Sequence, residues 1–174
     1  MKSHYIPFIP PAINLPPVIC KKSNQVSGKV VFHKNVEYDI GLDQKDWNKL
    51  IGLKKKNHEE SVRIGWRYFD RQIQFNIYVR ANNDTFSKKL NFNKVGNANA
   101  YASAPIIKTL AYNKVNFNIK VNEDNTVNIV LGQNYYIFMM QDMYDKSKLS
   151  MPWFGGNKLT PKFMTHKFLN FSYK

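Results

Sequence analysis

Cysteine occurs once in the 174 residues, at Cys20, so no intrachain disulfide can form and neither a thiolate metal cluster nor a Cys-x-x-Cys redox pair can be built. Acidic residues are also scarce, 12 against 26 Lys and Arg, and only Arg63, Arg67, Arg71 and Arg80 are arginines. No run approaches the ~18 apolar residues of a membrane-crossing helix. The start of the chain lacks the roughly 7–15 unbroken apolar residues of an export signal, because Pro7, Pro10 and Pro11 interrupt it. These absences predict a protein made in the reducing cytoplasm, with no membrane partner, that leaves the cell only as part of an assembly.

Motifs for chemistry are equally sparse. His4, His33, His58 and His166 show no spacing that puts two imidazoles on one metal. No phosphate-binding glycine loop and no Gly-x-Ser-x-Gly elbow occurs. The acids fall mainly at turn-like or capping positions such as Asp39, Asp43, Asp70, Asp84, Glu123 and Asp124. Cys20 has no histidine close in sequence and reads as a small apolar residue. The expectation is no catalytic residue, no metal and no cofactor, hence no enzyme.

What is present is apolar and aromatic. The hydrophobic fraction is 43%, with 12 Phe, 10 Tyr and 3 Trp, so the chain can bury a core. Five of the eight prolines lie in the first 17 residues. That density favours an extended or edge-strand course over helix. Residues 1–25 are therefore expected to form a proline-rich arm ahead of one domain at 26–174. Ile6, Phe8, Ile9, Ile13, Leu15, Val18 and Ile19 are too apolar to prefer water and are the candidate partner-docking residues of that arm.

Period-2 alternation is clearest in Val62, Ile64, Trp66 and Tyr68, and again in Ile73, Phe75, Ile77 and Val79, with Asp70-Arg71 between them as a tight hairpin connection. A second hairpin runs through Val115–Val121 and Val127–Leu131, turning at 122–125. Further strands are expected at Lys29–Ile40, at Phe86–Phe92, over the apolar run Tyr135–Met140 as one buried on both sides, near Met151–Gly155 and over Lys162–Tyr173. Asn93–Ala104 reads as a surface loop. One short helix is expected at Asp43–Ile51, where Trp47, Leu50 and Ile51 fall at i, i+3 and i+4. Nine or ten strands with turn connections predict an all-β, antiparallel β-sandwich of jelly-roll type with that one helix and the N-terminal arm. On it, Arg63, Arg67, Gln72, Gln74, Asn76, Tyr78 and Arg80 are candidates for a binding face exposed on one side of a sheet.

Trp153-Phe154-Gly155-Gly156-Asn157, followed by Thr160-Pro161 and a closing strand, is similar to the closing turn of concanavalin-like jelly-roll sandwiches of Bacteroidetes and the crAss-like phages that infect them. Thr160 stands in place of that turn's alanine, and Lys162-Phe163 departs from its acidic continuation. The stretches Tyr38–Leu50 and Ile64–Arg67 resemble the same group. The glycine pair reads as a structural turn. The resemblance implies the sandwich fold and two uses, glycan binding or cleavage outside the cell and a structural or decorating place in the phage particle. With no export signal seen, the leading expectation is a non-enzymatic virion protein docking on several copies of other virion proteins through the arm and the basic surface. The alternatives are a glycan-binding module and a nucleic-acid-binding protein. The charge of +14 makes a weak, unspecific affinity for nucleic acid an expected side effect.

Overall fold

The computed structural model describes residues 3–7, 21–55, 60–81, 92–94, 100–103, 107–150, 152 and 164–174. Among them the chain forms thirteen strands in two antiparallel sheets. They are β1 (Ser3–Pro7), β2 (Gln25–Phe32), β3 (Asn48–Lys54), β4 (Ser61–Phe69), β5 (Gln72–Arg80), β6 (Phe92–Lys94), β7 (Ala100–Ser103), β8 (Ile107–Thr109), β9 (Lys114–Val121), β10 (Thr126–Leu131), β11 (Asn134–Met139), β12 (Lys148–Ser150) and β13 (Thr165–Tyr173). One sheet has the order β1-β13-β2-β9-β10-β11. The other runs β12-β3-β4-β5-β7-β6, with β8 pairing the far end of β5. The all-β antiparallel sandwich is the fold that the strand pattern predicts.

Alternation builds the core. Val26, Val30 and Phe32 of β2 and Val115, Phe117, Ile119 and Val121 of β9 face inward from one sheet. Val62, Ile64 and Trp66 of β4 and Ile73, Phe75, Ile77 and Val79 of β5 face them from the other. The two sheets meet where Phe32 packs on Trp66 at 4.6 Å and on Phe75 at 5.5 Å between ring centroids. Burial of each such side chain contributes roughly 1.5–3 kcal/mol.

Several expectations are corrected. No α-helix occurs among the described residues. Gly41–Lys45 is a 3-10 turn, and after Asp46 and Trp47 the chain enters β3. The register of β3 on β4 slips between Lys49 and Ile51, so the extra residue Leu50 and its neighbour Ile51 are both buried. A bulge of this kind puts two consecutive residues inward, which reproduces a helical spacing in what is a strand. β2 ends at Phe32, and Lys34–Val36 is another 3-10 turn. Within the stretch read as a surface loop lie part of β6 and all of β7, whose Tyr101 is buried while its flanking small residues give no periodic signal. β11 is an edge strand with Tyr135, Ile137 and Met139 exposed and Phe138 inward, so it is not buried on both sides. Of the strand expected at Met151–Gly155, all but Pro152 lies outside the described residues. Trp153, Phe154, Gly155, Gly156 and Asn157 lie outside the described residues.

In the proline-rich segment, Ser3–Pro7 lies along β13 of its own chain, with Ile6 opposite His166. A proline ending an edge strand loses no ladder bond that a neighbour needs. Phe8, Ile9, Ile13, Leu15, Val18 and Ile19 lie outside the described residues.

Two features yield predictions. Asp70 and Arg71 both have φ of 55° in the two-residue turn between β4 and β5, whose ends are the pair Phe69 and Gln72. Such a turn requires positive φ at both positions, where glycine follows aspartate best. Arg71→Gly should therefore stabilise the fold by about 0.5–1 kcal/mol, read as a rise in Tm. Secondly, His166 is buried against Phe32 and Phe168. Burial, and next the nearby charge of His33, lower its pKa to about 3. The folded state thus holds His166 neutral, while the unfolded chain takes up a proton below its ordinary value of about 6.5. The stability difference is complete above that value and is lost as pH falls from there toward 3, by on the order of 5 kcal/mol at most. His166→Phe should flatten the dependence of Tm on pH across this window, and an unchanged slope would refute the assignment.

Candidate functional site

The alternation that sends Val62, Ile64 and Trp66 inward sends Arg63, Gly65 and Arg67 outward, and β5 answers with Gln72, Gln74, Asn76, Tyr78 and Arg80. Ladder pairing sets Arg63 opposite Tyr78, Gly65 opposite Asn76 and Arg67 opposite Gln74. All seven residues read from the sequence as one face therefore lie on one face. The face is exposed only in part: Gln74 is 3% and Asn76 1% exposed, Arg63, Arg67, Gln72 and Tyr78 are half-buried, and Arg80 is exposed.

Arg67 and Gln74 serve the fold. Arg67 Nε donates to Gln74 Oε1 at 2.9 Å and Nη1 to the Lys45 carbonyl at 2.8 Å. Its guanidinium lies 4.2 Å from the Trp47 ring centroid and 4.8 Å from that of Phe69. Gln74 Nε2 donates onward to the Phe69 carbonyl at 3.3 Å. These contacts pin the residues before β3 to the hairpin.

Arg63, Asn76, Tyr78 and Lys49 are differently placed. Lys49 sits on β3 opposite Gly65, and its Nζ lies 4.4 Å from the Tyr78 ring centroid while donating to the Trp47 carbonyl at 2.8 Å. Two glycines make the close packing possible. A Cβ on Gly52 would lie 2.6 Å from the Arg63 Cα, and one on Gly65 would collide with the Asn76 amide oxygen. Both side chains can therefore lie flat on the sheet. Neither the oxygen nor the nitrogen of the Asn76 amide has a hydrogen-bond partner among the described residues. The usual net cost of such a buried group is about 1–3 kcal/mol.

The electrostatics of this group are one-sided. Burial lowers the Arg63 pKa to about 10, with Arg80 lowering it further and Tyr78 opposing. Burial, and then the charge of Arg63, lower that of Lys49 to about 8, against the pull of Asp46. Burial raises the Tyr78 phenol, opposed by Arg63 and Arg80 and assisted by Asp46. Lys49 and Arg63 thus set positive charge beside a buried, unsatisfied amide, while Arg80, further along β5, acts on Arg63 and Tyr78, and Asp46 is the acid that acts on Lys49 and Tyr78. An anion seated there would relieve the like-charge repulsion. Lys49 and Trp47 lie in the stretch whose spacing predicts a helix, so the sequence pattern does not place them on this face. The only sequence signal for them was the bulge-prone Leu50-Ile51-Gly52. The imidazoles of His33 and His166, distant in sequence, are brought close enough to interact, yet no group of three metal-ligating side chains occurs among the described residues.

No family model and no curated protein matches the chain. Among solved structures, an alginate lyase from Pseudomonas aeruginosa is similar over 87% of this chain and 65% of its own, with 9% identity and a TM-score of 0.55. The alginate lyase AlyC3 is similar over 86% of this chain and 63% of its own, with 17% identity and a TM-score of 0.50. The same enzyme solved in complex with dimannuronate gives a TM-score of 0.48, at 16% identity over 86% of this chain and 62% of its own. The chain thus spans less than two thirds of the length of these lyases. At such identities the likeness establishes the sandwich fold. It overturns the expectation of a non-enzymatic viral capsid, virion or bacteriophage structural protein, because the proteins sharing this fold over most of the chain are enzymes that act on a polysaccharide.

Leucine has nearly the shape of asparagine without the unsatisfied amide. Asn76→Leu is therefore expected to stabilise the fold by about 1–2 kcal/mol in chemical denaturation. A loss of stability would mean that the amide is satisfied in solution.

Proposed function

We propose that the protein binds an acidic polysaccharide of the alginate class across the outer face of the seven-stranded sheet, and cleaves it by β-elimination. The observation that carries this reading is the buried, unsatisfied Asn76 amide set among the desolvated charges of Arg63 and Lys49. A uronate carboxylate has the charge and the acceptor oxygens that this group calls for. The fold shared with alginate lyases supports the substrate class.

Elimination begins with loss of the proton on the carbon that bears the carboxylate. Arg63 and the Asn76 nitrogen would hold the carboxylate and stabilise the charge that develops on it. Lys49, lowered to about 8, has a fraction of neutral amine at neutral pH and can take the proton as general base. The C–H electron pair then forms the double bond, the bond from the adjacent carbon to the glycosidic oxygen breaks, and that oxygen takes a proton. Tyr78, which burial keeps protonated and whose ring centroid lies 4.4 Å from Lys49 Nζ, would be that donor.

The test is incubation with polymannuronate and polyguluronate, reading the ultraviolet absorbance of the unsaturated product alongside binding by calorimetry. Tyr78→Phe should lower turnover by about a hundredfold or more while keeping affinity. Arg63→Ala and Asn76→Leu should lose affinity. Lys49 loses its charge as pH rises through about 8, so affinity should fall there, and Lys49→Arg should move that fall to higher pH while abolishing turnover. Binding without product would reduce the reading to a glycan-binding module. Absence of binding to either polymer would end it.

A further inference from the structure

The outer face of the six-stranded sheet, on the other side of the sandwich, is wholly basic in its strands. Not one of the six strands carries an aspartate or glutamate, and their only charged side chains besides histidine are Lys29, Lys114, Lys120 and Lys167. The inward alternation of Val30, Val115, Ile119, Val121 and Phe168 sends all four lysines outward. Val31 lies directly between Lys114 and Lys167, and Lys29 is opposite Asn116, two residues along from Lys114. Lys120 lies opposite Gln25 and Asn128. Diagonal neighbours in such a ladder are about 7–8 Å apart, and Lys114 to Lys120 spans about 20 Å of strand.

Lys29, Lys114 and Lys120 make no ion pair among the described residues; the two ion pairs present are Lys55 with Glu60 and Lys146 with Asp142. The nearest acids in sequence to Lys120 are Glu123 and Asp124, in the turn at the end of β9. Between the lysines stand Asn116, Asn118 and Ser27, polar groups that can bond to hydroxyls.

We propose that this face is a second binding surface for an acidic polysaccharide, which holds a length of polymer while the opposite face engages one segment of it. The proposal rests on the acidic-glycan reading above. Charge complementarity selects a polyanion, and the absence of arginine and of any aromatic ring between the lysines selects against nucleic acid, which binds through stacking platforms as well as charge. A flat lattice of lysines and amides, about 20 Å long, suits a chain that repeats a carboxylate and hydroxyls along its length.

The full-length chain with Lys29→Gln, Lys114→Gln and Lys120→Gln together, and separately with Arg63→Ala, is the test. Probes are long polymannuronate, dimannuronate, polyglutamate and single-stranded DNA. The triple variant should keep its Tm, bind long polymannuronate about tenfold more weakly, and bind dimannuronate as the native protein does. Arg63→Ala should lose dimannuronate. Unchanged affinity of the triple variant for the long polymer overturns the proposal. So does tighter lysine-dependent binding of DNA, which would make nucleic acid the occupant, or equal binding of polyglutamate, which would reduce the face to unspecific charge. A dimannuronate affinity untouched by Arg63→Ala, with the lysine effect intact, overturns the assignment of the seven-stranded sheet's face and leaves this one standing.

Discussion

The pairing of β4 with β5 is the constraint on which the rest depends. Nine consecutive residue pairs, from Ser61 with Arg80 to Phe69 with Gln72, are held in one register by a two-residue turn. A slip of one residue would invert one strand against the other. Either Trp66 or Phe75 would then leave the interior, and Arg63 or the Asn76 and Tyr78 pair would enter it. Core and candidate site are thus two faces of one ladder.

The site is built from close approach as much as from charge. Gly52 and Gly65 occupy outward positions where any side chain would meet Arg63 or Asn76, so the cationic and amide groups are pressed onto the sheet and lose water. Desolvation is the largest cause of the shifts at Lys49, Arg63 and Tyr78. Meanwhile Arg67 is satisfied by Gln74 and the Lys45 carbonyl and by the rings on either side of it. Two arginines four residues apart on one strand are therefore set differently, Arg67 locking a loop and Arg63 pressed beside Gly52 with its pKa lowered by burial.

The two outer faces of the sandwich contrast. On the seven-stranded sheet, charge is withdrawn from water and mixed with an unsatisfied amide, an arrangement that costs stability and is suited to recognising a group placed with precision. On the six-stranded sheet Lys114 and Lys120 are exposed and Lys29 and Lys167 half-exposed, separated by amides and hydroxyls, where attraction is long-ranged and screened by salt. A polymer that must be gripped at one segment and retained along its length would use both.

Local pattern alone determined a great deal. The hairpins at Asp70-Arg71 and at 122–125, the sandwich, and the gathering of Arg63, Asn76, Tyr78 and their neighbours on one face all follow from period 2 and turn chemistry, which are properties of adjacent residues. Tertiary structure decided the rest. The bulge at Leu50 made a strand of an apparent helix and brought Lys49 beside Tyr78, because pairing with β4 outweighed the local spacing. Burial of Gln74 and Asn76, the meeting of His33 and His166, and the edge position of β11 depend on which strands become neighbours, and that order is fixed by long-range pairing that no local pattern encodes.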